Sequence, residues 1–299
     1  MNKIVCVLLV ALFSPFLVDA QVRLYTQEDR KGNKVLISEN KDFFSYSVII
    51  DLIEFENLDT REVSGRYFIA KPGKNVLAKM KVKDSKKESN LEFNSQIVRG
   101  KYNPDFKDKI PFLLPVKEGL EVKVSKVISD GVVSYDDLDK KSAGVLIHFN
   151  EPTFICAPRK GIVTKIVDGS ASGFNQIDFD EEDNYIEFYH EDGTFSRLYV
   201  FKSKTLRIKV GDTVYPGMEL AESAVLNQQS EPYVRFVRLL TIREGYEFKQ
   251  RNEEVAFVSS ANSSLKPENG FKMISVHPER WIMSEMTKKE IKKYLPLIK

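Results

Sequence analysis

The fold of this chain is decided by four consecutive segments: FICAPRKGIVTKIVDG (154–169), NYIEFYHEDGTFSRLYVF (184–201), IKVGDTVYPGMELAES (208–223) and PYVRFV (232–237). In the second segment, Ile186 and Phe188 alternate with Tyr185 and Glu187, which is the period of a strand with two different faces. Asp192-Gly193 then supplies a tight hairpin turn, because glycine accepts the positive φ that such a turn needs. The pattern predicts antiparallel β-sheet.

Length and composition describe an ordinary globular protein. The chain has 299 residues, of which 42% are hydrophobic and 29% are charged, so it can form two modest domains that each bury a core. The formal net charge is only +2. Nothing in this balance indicates nucleic acid as a partner.

The first twenty residues have the pattern of a signal peptide. Lys3 precedes an apolar run from Ile4 to Val18, and Ala20 ends a small-residue cleavage site. A membrane-spanning helix needs about 20 apolar residues, so the run is too short to span. We expect a mature chain that begins near Gln21, has no membrane span, and is exported to the periplasm or cell surface.

Cys156 is then the one remaining cysteine, and its apolar neighbours favour a buried structural thiol over a reactive nucleophile.

The rest of the chain divides into three regions. Short strand-like runs over residues 21–115 predict a β-sandwich of immunoglobulin or fibronectin type. Residues 116–245 hold the four segments that decide the fold. Residues 246–299 add further strands and a short basic helix, which Thr287 and Glu290 open with a capping box. The fold class is therefore all-β with a short C-terminal helix.

Residues 142–236 also contain a series of motifs in a fixed order. They are Ala157-Pro-Arg-Lys-Gly161-Ile-Val163, Asn184-Tyr185, Gly193-Thr-Phe-Ser196-Arg-Leu-Tyr199-Val-Phe201, Val210-Gly-Asp212-Thr-Val214-Tyr-Pro-Gly217 and Pro232-Tyr-Val-Arg-Phe236. In these glycines and spacings the chain resembles the lysostaphin/LytM-type family of zinc metallopeptidases. The resemblance implies an antiparallel β-fold called the duplicated hybrid motif. Enzymes of that family cleave peptide cross-links in bacterial cell walls.

The zinc-binding positions of that family are altered in this chain. By the resemblance, its first two ligands, a histidine and an aspartate, fall on Ser142 and Leu146, and its third, a histidine, falls on Arg235. Its two catalytic histidines fall on Tyr233 and Phe201. Leucine and phenylalanine have no lone pair to offer, and arginine keeps its positive charge where a dication would lie. The resemblance therefore implies that the zinc and the catalytic groups have been lost.

Other interpretations of these residues stay open. His148 lies two residues after Leu146, on the same side of a strand, where it is either a substitute ligand or a hydrogen-bonded histidine. Arg235 either binds an anionic ligand or forms a salt bridge with a neighbour. We expect Leu146, Phe201 and Tyr233 to cluster where a substrate groove would run, either stacking on a ligand or filling space. The acidic segment 178–183 lacks the spacing of a calcium loop and is expected to be solvated.

The sequence thus predicts a pseudoenzyme, a non-catalytic binding or scaffolding protein of the bacterial envelope. Its partner would be peptidoglycan or another envelope protein. One alternative is an active zinc endopeptidase that cleaves peptidoglycan cross-links with ligands placed elsewhere. Another is a structural module in which the sandwich does the binding.

Overall fold

The computed structural model describes residues 21–107, 109–127, 144–169, 184–224 and 231–298. Regular structure in these ranges is predominantly β-strand, with short helices between residues 279 and 298. The all-β class with a short C-terminal helix is therefore confirmed. The predicted signal peptide, Ser142 and the acidic segment 178–183 lie outside the described residues.

The N-terminal unit consists of seven strands in two antiparallel sheets. The strands are β1 (Val22–Glu28), β2 (Lys34–Asn40), β3 (Tyr46–Glu56), β4 (Leu58–Asp59), β5 (Tyr67–Ala70), β6 (Gly73–Val82) and β7 (Asn90–Arg99). One sheet has the order β1-β2-β6-β4 and the other has the order β5-β3-β7. Leu36, Val48 and Met80 of the two sheets belong to one buried cluster. The two-sheet arrangement fits a sandwich, while the immunoglobulin-like assignment stays a prediction.

Residues 83–89 connect the two sheets and do not form a hairpin loop. They join β6 to β7, but β6 pairs with β2 and β4, whereas β7 pairs with β3. The segment therefore crosses from one sheet to the other. A polar turn between two strands looks the same in sequence whether or not the strands pair with each other.

The second unit is built on a nine-stranded sheet. Its strands and those around it are β8 (Glu121–Val127), β9 (Gly144–His148), β10 (Phe154–Cys156), β11 (Gly161–Val167), β12 (Tyr185–Tyr189), β13 (Phe195–Tyr199), β14 (Thr213–Val214), β15 (Glu219–Glu222), β16 (Tyr233–Glu244), β17 (Glu247–Asn252), β18 (Phe257–Val258), β19 (Ser264–Leu265) and β20 (Phe271–Ile274). We call the nine-stranded sheet the central sheet. Its order is β14-β11-β12-β13-β16-β9-β8-β20, and β17 pairs with β16. Strands from beyond residue 245 therefore complete the same sheet.

The two faces of the central sheet belong to different cores. Ile186 and Phe188 pack in one buried cluster, whereas Tyr185 and Tyr189 pack in the other. The alternation predicted for this strand is therefore confirmed. The turn that follows it is also as predicted, since Gly193 has a φ of 94° and its N–H donates to the carbonyl of His190 at 3.0 Å.

The N-terminal unit packs against part of one face of the central sheet. The ring of Phe44 lies 5.7 Å from that of Tyr189 and 5.3 Å from that of Phe195. The side chain of Gln96 pairs with the backbone of Phe248 on β17, accepting at 3.1 Å and donating at 3.5 Å. A side chain of one unit thus continues the hydrogen bonding of a strand in the other.

A buried carboxylate joins the two units at this seam. Glu187 on β12 is fully buried, and it pairs with Arg99 of β7 at 2.6 Å and with Arg197 of β13 at 3.0 Å. Thr164 donates a further hydrogen bond to it at 2.7 Å. Arg99 also lies over the ring of Phe44, 4.6 Å from its centroid. Charge pairing and apolar packing therefore coincide at one point.

The C-terminal segment forms a short helix α1 (Glu279–Ile282), a 3₁₀ turn over residues 283–285, and helix α2 (Lys288–Ile298). The predicted capping box is confirmed, since the Thr287 N–H donates to Glu290 at 2.7 Å and the Glu290 N–H donates to the Thr287 hydroxyl at 3.3 Å. The ring of Tyr294 stacks on that of Tyr215, with centroids 4.4 Å apart. This contact fixes α2 to the second unit.

We expect Glu187→Gln to lower the free energy of unfolding by about 3–5 kcal/mol, because it leaves the buried Arg197 without its carboxylate. Equilibrium unfolding in urea measures the change. Glu62→Gln is the matched control, since Glu62 pairs with Arg66 on the exposed surface and its loss should cost less than about 1 kcal/mol. Equal effects of the two variants would contradict the structural role given to Glu187.

Candidate functional site

The structure brings four of the six predicted site residues together on one face of the central sheet. In the register of β9 and β16, Leu146 lies opposite Arg235, and His148 lies opposite Tyr233. The residues between them on the two strands point into the buried core on the other side, as Val145, Ile147 and Val234 show. The four site residues are half-buried. Strand alternation alone therefore accounts for their shared face.

Arg235 is held by an aromatic ring rather than by a carboxylate. Its guanidinium lies 3.9 Å from the centroid of the Tyr199 ring on the neighbouring strand β13. Within the described residues no acidic side chain pairs with it. In the part of the chain that the structure describes, Arg235 therefore makes a cation–π contact and no salt bridge.

Phe201 does not join this face, so the expected cluster of Leu146, Phe201 and Tyr233 does not form. Strand β13 ends at Tyr199, and Val200 has a φ of 70°, in the left-handed region that a β-branched residue rarely adopts. That residue interrupts the alternation, so Phe201 packs in the core cluster of Phe188 and Ile147. Tyr233 lies instead against the cluster on the other face.

The four residues do not fit a zinc ion. A hydrolytic zinc site needs three protein donors with lone pairs and an open position for water. Here Leu146 offers no donor, and Arg235 brings a fixed positive charge. His148 and the Tyr233 phenol are the donors that remain, and their rings lie 5.6 Å apart. In the ranges that the structure describes, no three histidine, cysteine or acidic side chains converge to hold a metal.

The surroundings of His148 are also unfavourable for a cation. Burial lowers the pKa of its imidazole, and Lys123, which lies opposite it on β8, lowers that pKa further. Glu231 acts in the opposite direction. An additional dication here would lie close to the charges of Lys123 and Arg235.

The structure also contains a serine–histidine pair that the sequence analysis missed. His190 Nε2 lies 2.7 Å from the Ser196 hydroxyl, and Nδ1 lies 2.7 Å from the carbonyl oxygen of Lys160. This is the geometry of a nucleophile and its base. Both side chains are fully buried, however, so a substrate cannot reach them. The signal in the sequence was their placement on either side of the Asp192-Gly193 turn.

The same turn is tied to the C-terminal segment by Arg159. Its guanidinium contacts Glu285 at 2.7 and 2.6 Å and Asp192 at 2.7 Å. Burial alone would raise the pKa of Asp192, but Arg159 and His190 lower it to about 2. The cluster fixes the hairpin and the residues before α2 in one arrangement, which is a structural role.

A cavity of about 590 Å³ lies at the edge of the second unit. Its lining includes Lys117, Phe154, Lys202 and Glu222. Both lysines are paired internally, Lys117 with Glu219 at 2.9 Å and Lys202 with Glu222 at 3.0 Å. The charges of the described lining residues are therefore balanced.

Comparison of structures finds peptidases of one type. The matches include lysostaphin (19% identity, TM-score 0.27, 39% of this chain and 44% of that chain), the M23 metalloprotease pseudoalterin from the deep sea (18%, 0.32, 57% and 98%) and a zinc-containing peptidase from Vibrio cholerae (11%, 0.31, 72% and 81%). The chain thus spans less than half of the lysostaphin structure. No protein-family model matches it, and no curated protein matches it.

What the site can do follows from this chain's own residues. They place two rings, one aliphatic side chain and a guanidinium side by side on a half-buried face of β9 and β16.

We expect the protein to lose stability as pH falls from about 6.5, and the buried His190 to be one cause. Burial and Arg159 lower the pKa of His190 from its ordinary 6.5 to about 3, so between these values the unfolded chain binds a proton that the folded protein does not. The contribution reaches about 1.4 kcal/mol per pH unit. Urea unfolding at pH 7 and pH 5 measures it.

His190→Gln should show a smaller loss between pH 7 and pH 5 than the unaltered protein. His148 and His277 also have lowered pKa values and remain in this variant, so part of the pH dependence persists. The depressed pKa of Asp192 acts only below about pH 4, outside this range. An unchanged pH dependence in the variant would contradict the assignment.

Cys156 should not react with a thiol reagent in the folded protein. It is 2% exposed, and burial raises the pKa of its thiol to about 12. The thiolate that attacks such reagents is therefore scarce and inaccessible. Titration of the mature protein, which lacks Cys6, with a chromogenic disulfide should detect one thiol in denaturant and almost none without it. Rapid reaction of the native protein would contradict a structural role.

Proposed function

We propose that this chain is an exported, non-catalytic binding or scaffolding module of the bacterial cell envelope, whose partner is peptidoglycan or another envelope protein. The observation that carries the proposal is the pairing of Leu146 with Arg235 in adjacent strands. By the sequence resemblance, both positions correspond to zinc ligands. A hydrocarbon and a permanent cation stand there instead, so the face can contact a ligand but cannot activate water on a metal.

Two features of the structure support a binding role for the whole chain. The half-buried face offers Tyr233 and Arg235, which are residue types that contribute strongly to interfaces, with His148 beside them. The N-terminal unit shares a buried cluster with the central sheet and is joined to it through Glu187. We therefore treat the two units as one binding body rather than assigning the partner to the sandwich alone.

Export is the part of the proposal that comes from sequence. Residues 1–20 carry the signal-peptide pattern. Among the helices within the described ranges, none has the length and apolar character needed to cross a membrane.

The alternative of an active zinc endopeptidase makes a different prediction about metal content. We expect purified mature protein, incubated with zinc and then dialysed, to retain far less than one zinc per chain by atomic emission. Ser142→His/Leu146→Asp/Arg235→His restores the family's ligand types and should retain more. About one tightly bound zinc in the unaltered protein would overturn the non-catalytic proposal.

Purified wall sacculi test the partner. We expect the mature protein to sediment with sacculi without releasing soluble wall fragments. Arg235→Gln together with Tyr233→Leu should reduce the sedimented fraction several-fold, because it removes the cation and one ring of the face. Lys292→Gln together with Lys293→Gln is the control on the exposed side of α2. Fragment release would favour the enzyme, whereas no sedimentation would favour an envelope protein as partner.

A further inference from the structure

The exposed part of the central sheet carries a row of side chains that crosses four strands. Lys272 of β20 lies opposite Lys123 of β8, Lys123 lies opposite His148 of β9, and His148 lies opposite Tyr233 of β16. Adjacent strands are about 4.8 Å apart, so the row is about 14 Å long. Arg235 lies on the same face, two residues along β16 from Tyr233.

The positive charges in this row are unequally compensated. Lys272 and Lys123 lie directly opposite each other, and like charges in that position destabilise a sheet. Glu121 pairs with Lys272 at 3.0 Å, but no acidic side chain within the described residues pairs with Lys123 or with Arg235. Bound anionic groups would relieve this repulsion. The row therefore favours an anionic ligand.

The rings between the cations indicate more than a charged ligand. His148 and Tyr233 separate Lys123 from Arg235, and Arg235 itself lies on the ring of Tyr199. Aromatic side chains pack against apolar surface while their polar edges form hydrogen bonds. A sugar ring offers both kinds of surface, with its C–H groups on one side and its hydroxyls at the edge. Lys272 and Lys123 are exposed and His148 and Tyr233 are half-buried, so the row offers contacts on four adjacent strands, which suits an extended polymer.

We propose that this face binds a linear anionic glycan laid across strands β20, β8, β9 and β16. Lys272, Lys123 and Arg235 contact its acidic groups, and His148 and Tyr233 pack against its sugar rings. The inference rests on the binding role proposed above and names the ligand class for that role.

Helix α2 provides an internal control for simple attraction between opposite charges. Lys288, Lys289, Lys292 and Lys293 are all exposed, and the acidic Glu290 of the same helix is occupied by Thr287, Lys160 and Tyr215. This surface is at least as positive as the row on the sheet. If charge alone accounted for binding, substituting these lysines would weaken it as much as substituting the lysines of the row.

The experiment uses the full mature protein and three soluble polymers: polygalacturonate, poly-glutamate and the neutral glycan dextran. Binding is measured by affinity electrophoresis and by calorimetry. We expect polygalacturonate to bind, dextran not to bind, and poly-glutamate to bind more weakly. Lys123→Gln/Lys272→Gln should weaken polygalacturonate binding about five- to tenfold, whereas Lys292→Gln/Lys293→Gln should change it less than about twofold.

A ring variant separates the glycan from other polyanions. Tyr233→Leu should weaken binding of polygalacturonate but leave that of poly-glutamate unchanged, with thermal unfolding confirming that the variant is folded. The proposal is overturned if polygalacturonate does not bind, if poly-glutamate binds as tightly, or if the two lysine pairs contribute equally. Sacculi are tested in parallel. Binding to sacculi without binding to polygalacturonate overturns the ligand class alone, and the reverse result overturns the wall-binding function alone.

Discussion

The structure depends on a buried carboxylate that needs cationic partners. Glu187 is fully buried in the middle of the central sheet, and an uncompensated buried charge costs several kcal/mol. Arg197 comes from the next strand, but Arg99 comes from the other unit, 88 residues earlier in the chain. The sheet therefore requires the N-terminal unit as its partner. Phe44 and Phe195 exclude water around the same point, which strengthens the charge interaction.

This requirement divides one face of the central sheet into two parts. Around Tyr189 and Phe195 the face is covered by the N-terminal unit, and its chemistry is that of a core. Around Leu146, His148 and Arg235 it is half-buried, and charged and aromatic side chains lie side by side. The candidate site is the portion of the sheet that the N-terminal unit leaves uncovered. The residues of the candidate site share a face because alternate residues of a strand point to the same side.

The fold was predictable where it depends on local pattern. The alternation in residues 185–189, the Asp192-Gly193 turn and the capping box at Thr287 each have a short-range physical cause, and each is present. The loss of ligand chemistry at Leu146 and Arg235 could also be inferred, because it depends on residue type. The clustering of Phe201 with them could not, because a single left-handed residue, Val200, reverses which side its successor faces. Pairings over long sequence separations, such as Gln96 with Phe248 or β20 with β8, leave no local signal.

The contact between Gln96 and Phe248 affects how the chain can be divided into fragments. Strand β17 lies at an edge of the central sheet, and the amide group of Gln96 occupies hydrogen-bonding groups that would otherwise be open to another strand. Cutting the chain between its halves would uncover that edge together with the rings of Tyr189 and Phe195. Each fragment would then tend to self-associate through the newly exposed surface. Such non-specific association could be mistaken for affinity toward a partner. Binding experiments therefore need both units in one polypeptide.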